Sequence, residues 1–276
     1  MNNEIFSLML SQHATHDELG QRNALYETMQ QVALAGLYRG GFFKEAAFYG
    51  GTCLRLFHNL GRYSEDMDFT MVHKNPDFRF EDYFPYIVAE AEALGRMVEI
   101  KKKDKVNFGR VESAFLKDTT DVYNLKFTTE KTLKIKIEID TNPPLGFDTE
   151  EHLMTLPFSF HVRCLTLPNL FAGKLHALVF RQWKTRVKGR DWYDFEWYVR
   201  RHVPLNWSHL HNRILEFTGE DLSRADFEEA MRQRLATTNI DDVKRDVLPF
   251  IIDPRDLDFW SNDYFLTLAE RIKWEE

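Results

Sequence analysis

The sequence predicts an α+β fold, with a mixed-sheet amino-terminal half and an all-helical carboxy-terminal half. Two observations carry this. Segments rich in β-branched and aromatic residues alternate between residues 97 and 140, and helical periodicity replaces them from Pro168 onward. Pro143, Pro144 and Gly146 break the chain between the two patterns. A length of 276 residues suits one large domain or two small ones. The expected division is 1–155, an α/β domain, and 156–276, a helical domain completing a cleft. Hydrophobic residues make up 43% of the chain and include 23 Phe, enough for a packed core. Charged residues at 29% exclude a polytopic membrane protein and a largely disordered chain. Two cysteines, Cys53 and Cys164, are too few for a disulfide framework.

The elements follow in order. Leu25, Met29, Val32 and Leu37 share one face of a helix over 17–38, which Gly40 and Gly41 stop. Ala46 to Tyr49 form a short buried strand, residues 52–60 a short helix, 66–72 a strand and 81–95 a helix. Strands are expected over 97–105, 108–117, 121–129 and 132–140. The last of these, TLKIKIEID, alternates most cleanly. A linker spans about 141–160. Helices are then expected over 168–184, 190–202, 206–217, 222–236 and 256–273.

Charge is unevenly spread. There are 36 Lys and Arg against 43 Asp and Glu, a net charge of −7, which disfavours a general nucleic-acid coat. Yet no acidic residue lies between Glu151 and Asp191, an interval holding Arg163, Lys174, Arg181, Lys184, Arg186, Lys188 and Arg190. Such a run suits either a solvated face or phosphate groups. Lys101, Lys102, Lys103 and Lys105 form a second cluster. The amino terminus has Glu4, no basic segment and a short apolar run, so neither a signal peptide nor membrane association is expected, and a cytoplasmic location is. The histidine pairs His13/His16 and His209/His211 lack acidic or Cys companions at ligand spacing. His58 and His176 are expected to pack.

The chemistry concentrates in Gly50 to Phe69, GGTCLRLFHNLGRYSEDMDF. Glycines ahead of a helix allow close approach of a ligand to backbone N–H groups, a phosphate-binding arrangement. Thr52 would cap that helix or bond a phosphate oxygen. Asp66 and Asp68 share one face of a strand and repel each other unless a cation separates them. Mg²⁺ commonly uses one or two carboxylates with substrate phosphates. On TLKIKIEID, Lys136, Glu138 and Asp140 share the face opposite Ile135, Ile137 and Ile139, so a third acid could converge, with Glu138 or Asp140 supplying it. Asp191 and Asp194 share a helix face, either as site acids or as compensation of the helix dipole.

These residues resemble the AbiEii-type nucleotidyltransferase toxins, a branch of the DNA polymerase β-like nucleotidyltransferases. The run from Arg62 to Phe69 is the strongest match. Lys134 to Asp140, Leu170 to Leu178 around Lys174, and Gly189 to Asp194 resemble the family's later elements, over about residues 46–200. The resemblance implies a polymerase β-like fold and a metal-dependent transfer of NMP from an NTP to an acceptor hydroxyl. The acceptor would be RNA, such as a tRNA 3′ end, or protein, and a cognate antitoxin would restrain the enzyme. It implies that Asp66, Asp68 and Glu138 hold Mg²⁺ or Mn²⁺, and that Gly50, Gly51, Thr52, Arg62, Ser64, Lys174 and Arg181 bind the nucleotide. Asp191 or Asp194 would complete the catalytic set. Position 170 is Leu where part of the family has a polar residue. Competing readings are a nucleotidyltransferase for a small molecule and a catalytically silent NTP- or RNA-binding module.

Overall fold

Strands β1 (Ala46–Tyr49), β2 (Met67–Met71), β3 (Met97–Lys102), β4 (Thr120–Thr128), β5 (Leu133–Asp140), β6 (Thr149–Met154) and β7 (Phe160–Leu165) form one mixed sheet, in the order β3-β4-β5-β2-β1-β7-β6. The computed structural model describes residues 2–13, 18–103, 120–128, 132–181 and 187–275. The strand expected over 108–117 lies outside these residues, as do Lys105, Lys184 and Arg186.

Helix α1 (Asn2–Ser11) precedes α2 (Glu18–Arg39); α3 (Gly50–His58) links β1 to β2, and α4 (Phe84–Ala93) precedes β3. Helices α5 (Leu167–Phe180), α6 (Gly189–Arg200), α7 (Trp207–Thr218), α8 (Arg224–Thr237), α9 (Ile240–Val247) and α10 (Asn262–Ala269) form the carboxy-terminal half. A short parallel pair, β8 (Pro204–Asn206) and β9 (Lys273–Glu275), ties the end of the chain beside α7.

The sheet's centre is built by alternation. On β2, buried Met67, Phe69 and Met71 alternate with Asp68 and Thr70; on β5, buried Ile135, Ile137 and Ile139 alternate with Lys136, Glu138 and Asp140. The apolar side chains join one core cluster with Met29, Val32, Leu34 and Leu37 of α2. Each buried Ile or Phe contributes about 1.5–3 kcal/mol. That burial fixes the strand faces, because a slip of one residue would turn the carboxylates into the core.

Three sequence expectations are corrected. The sheet continues through the β6–β7 hairpin to Leu165, so the division at 155 falls inside that hairpin, and the expected linker contains β6. Helix α9 falls between the expected helices 222–236 and 256–273 as an additional element: Asn239 caps it by accepting from the N–H groups of Asp241 and Asp242. The long helix expected over 256–273 is shorter, Asn262–Ala269, with a 3-10 turn at Pro254–Leu257 before it. Lys101 and Lys102 lie exposed on β3, paired with Glu99 and Asp121, which matches a solvated face.

Helices α2 and α4 meet at Gly36, where a Cβ would lie 2.6 Å from the Ile87 Cα. Gly36→Ala is expected to lower stability by about 1–3 kcal/mol through overpacking, measured by urea unfolding.

Candidate active site

The β1–α3–β2 unit brings the glycine pair beside the first two carboxylates. Strand β1 runs antiparallel to β2, with Tyr49 opposite Asp68. Gly50 turns the chain into α3 with φ of +82°, and a Cβ there would collide with the Asp68 carboxylate. Only glycine both adopts this backbone conformation readily and leaves that room. The Thr52 hydroxyl donates to the Asp66 carbonyl. Helix α3 therefore holds the backbone that presents Asp66 and Asp68.

Strand β5 supplies the third acid. It runs parallel to β2, with Asp68 beside Glu138 and Thr70 beside Asp140. Glu138 is thus the direct neighbour of Asp68, and Asp140 lies one pair further along the same face. Burial, then Glu138 and Asp66, push the Asp68 carboxyl up to about 7. Lys136 forms an ion pair with Glu138.

A cavity of about 290 Å³ opens over these carboxylates. Its floor includes Tyr49, Gly50, Asp66, Asp68, Glu138 and Asp140. Helix α5 forms a wall through Asn169, Leu170, Gly173, Lys174 and Ala177, spaced for one helix face. Arg181, Lys188, Arg190 and Asp191 line the segment entering α6, and Arg213 enters from α7. Acidic side chains thus collect on the sheet and cationic ones on the helices.

The cationic side has an excess of charge. Burial and Arg181, with Arg190 and Lys174, push the Lys188 ammonium down to about 7 against the attraction of Asp191. A further anion would relieve that repulsion. Lys174 donates to Asp191 at 2.9 Å and lies 2.8 Å from Asp194. Burial disfavours its charge, but Asp191 and Asp194 outweigh that and raise its pKa.

Several candidates sit behind the cavity instead of lining it. Arg62 is buried and forks onto Asp194 through two 2.6 Å hydrogen bonds. It also donates to the Tyr63 carbonyl at 2.9 Å. Its guanidinium is a structural cation here, a correction to the expected phosphate contact. Asp194 is fully buried by Arg62 and Lys174, so Asp191 is the acid of that pair that faces the cavity. Thr52 and Ser64 are buried too, and a Cβ on Gly51 would meet Arg62 and the Ser64 hydroxyl. These three positions pack the floor from below. Conversely, Tyr49, Asn169 and Arg213 line the cavity, outside the motifs the sequence points to. Tyr49 adjoins the glycine pair, a usable signal; Arg213 sits on an unremarkable amphipathic helix and offers none.

The donor set suits a hard divalent ion. Asp66, Asp68 and Glu138 offer only oxygen, they converge on one cavity, and Gly50 leaves the Asp68 carboxylate room. Residues 32–267 match the sequence pattern described as "Nucleotidyl transferase AbiEii toxin, Type IV TA system".

The chain belongs to the AbiEii nucleotidyltransferase toxin family.

It is accordingly a nucleotidyltransferase, and membership implies a nucleotide substrate and an antitoxin partner. Among solved structures, it is similar to JHP933 from Helicobacter pylori, at 16% identity and a TM-score of 0.56, covering 93% of this chain and 92% of that one. It is also similar to MenT4, a nucleotidyltransferase toxin from Mycobacterium tuberculosis H37Rv, at 15% identity and a TM-score of 0.53, covering 97% and 99%. At such identities these likenesses speak for the fold. No curated protein matches the chain in sequence. Among the described residues, no helix is long and apolar enough to cross a membrane.

Two outcomes follow from the ion network. Arg62→Met strands buried Asp194, and is expected to cost about 3–5 kcal/mol in urea unfolding; a loss below about 1 kcal/mol would show that Arg62 is not structural. Burial raises the carboxyl pKa values of Asp191 and Asp194, but their cationic neighbours outweigh it and hold both below the ordinary range. Their stabilisation is therefore complete above the unfolded aspartate pKa of about 3.9 and is lost as pH falls through the folded values. Melting temperature should drop steeply below about pH 4, and Asp194→Asn should flatten that limb.

Proposed function

We propose that this enzyme transfers NMP from an NTP to a hydroxyl of RNA, with Mg²⁺ or Mn²⁺ held by Asp66, Asp68 and Glu138. The observation that carries the reading is the facing of Asp68 and Glu138, neighbours across β2 and β5, toward Lys174, Arg181 and Lys188 across one cavity. A divalent ion, when bound, would neutralise phosphate charge and polarise the reacting phosphorus.

The chain's own residues do the rest. Lys174, Lys188 and Arg181 would hold the triphosphate, with Lys174 kept charged and aimed by Asp191 and Asp194. Fixing both reactants in line removes much of the entropic barrier. The acceptor oxygen attacks the α-phosphorus, its proton passes to a carboxylate of the cluster, and the bond to pyrophosphate breaks. Preorganised cations stabilise the charge that develops on the phosphoryl oxygens. Asn169, Tyr49 and Arg213 are in reach of the rest of the bound reactants because they line the same cavity. Arg181, Lys188 and Arg190 at the α6 entrance support a polyanionic acceptor, hence RNA.

The test is incubation with each α-labelled NTP, Mg²⁺, total RNA and protein. Label is expected in RNA, with loss on chelation and a fall of roughly 100-fold or more for Asp68→Asn. Label only in protein or in small hydroxylated compounds would move the acceptor. Absence of transfer to RNA, to protein and to the enzyme itself would overturn the reading.

A further inference from the structure

The end of α3 remote from Gly50 carries a second group of ligating side chains. His58 is the last residue of α3, and its buried Nε2 has no hydrogen-bond partner. His152, in the middle of β6, stands edge-on to it, with ring centroids 4.8 Å apart and planes at 81°. Phe57 stacks on the His152 ring at 5.2 Å and 26°, which fixes its plane. Glu150 lies two residues earlier on the same face of β6, with its Oε1 3.2 Å from the His152 Nε2. One ligand atom from each of the three lies within 4.8 Å of the others.

Zinc bonds of about 2.0–2.2 Å to imidazole nitrogen and carboxylate oxygen put tetrahedral ligands roughly 3.4 Å apart. The Glu150–His152 pair already has that spacing, and small side-chain rotations bring His58 to it. A metal would also satisfy the buried Nε2 of His58, whose lack of a partner is otherwise costly. Two imidazoles and one carboxylate leave a fourth position for water, reached from the side where Glu150 is exposed. This donor set differs from the all-oxygen cluster of Asp66, Asp68 and Glu138, and nitrogen ligands favour zinc-class ions over Mg²⁺. The two groups stand at opposite ends of α3, roughly 12 Å apart along its axis at about 1.5 Å per residue.

We propose that His58, Glu150 and His152 bind a zinc-class transition metal, tying the end of α3 to the edge strand β6. Because the other end of α3 seats Gly50 against Asp68 and bonds Thr52 to the Asp66 carbonyl, the metal would brace the helix that presents those acids.

The test uses full-length protein stripped with chelator, in an Asp66→Asn/Asp68→Asn background that removes the oxygen site. Titration with Co²⁺ alone is expected to give one bound equivalent with the visible absorption of a low-coordinate nitrogen-ligated ion, displaced by one equivalent of Zn²⁺. Zn²⁺ should also raise the melting temperature. His152→Ala should abolish both signals. Glu150→Gln, at an exposed position that leaves folding intact, should weaken Co²⁺ binding roughly 10-fold or more. Failure of the background protein to bind Co²⁺, or unchanged Co²⁺ affinity in Glu150→Gln and in folded His152→Ala, would overturn the proposal. These readouts are independent of nucleotidyl transfer.

Discussion

A buried chain of alternating charges joins the sheet to the helices. Arg62 comes from the segment leading into β2, Asp194 and Asp191 from α6, and Lys174 from α5. None of these groups could be buried alone, because an isolated charge in a protein interior costs several kcal/mol. Each is tolerable only while its partners are in place. The network therefore ties the correct docking of α5 and α6 to the segment that delivers Asp66 and Asp68. Gly189 adds to the docking of α6: its N–H donates to Asp246 at 2.8 Å, and a Cβ there would overlap the Val243 carbonyl, both on α9.

The consequence for the site is a separation of charge across one cavity. Among the described residues that line the cavity, Lys136 is the cation the sheet contributes, and the sheet's opposite face is committed to the core. The helices supply others, from α5 and the start of α6. Carboxylates gather on one side, and Lys188, Arg181 and Arg190 on the other, and burial with like-charged neighbours raises the Asp68 carboxyl and lowers the Lys188 ammonium. Cations placed in advance on the helical side suit a nucleotidyltransferase, whose nucleotide substrate is a polyanion.

Part of this arrangement is legible in the sequence. Period-two alternation placed Glu138 opposite the Ile135, Ile137 and Ile139 face, and Asp66 and Asp68 on one face, because those patterns are local. Arg62 was misread. An arginine beside a glycine-rich, acidic motif looks like a phosphate ligand, and only the approach of Asp194, distant in the chain, shows that its fork is already taken. Thr52 was misjudged for a similar reason: its hydroxyl finds the Asp66 carbonyl, a backbone atom that no side-chain pattern reveals. His58 and His152 are nearly a hundred positions apart, so ligand spacing along the chain could not pair them.

The sequence by itself determined the α+β fold class and the faces of β2 and β5, since strand periodicity acts over a few residues. Tertiary structure alone decided that Glu138 and not Asp140 stands beside Asp68, and that Asp191 and not Asp194 faces the cavity. Register and burial depend on how separate segments meet, and the energy of a charged side chain depends on the partners that folding brings to it.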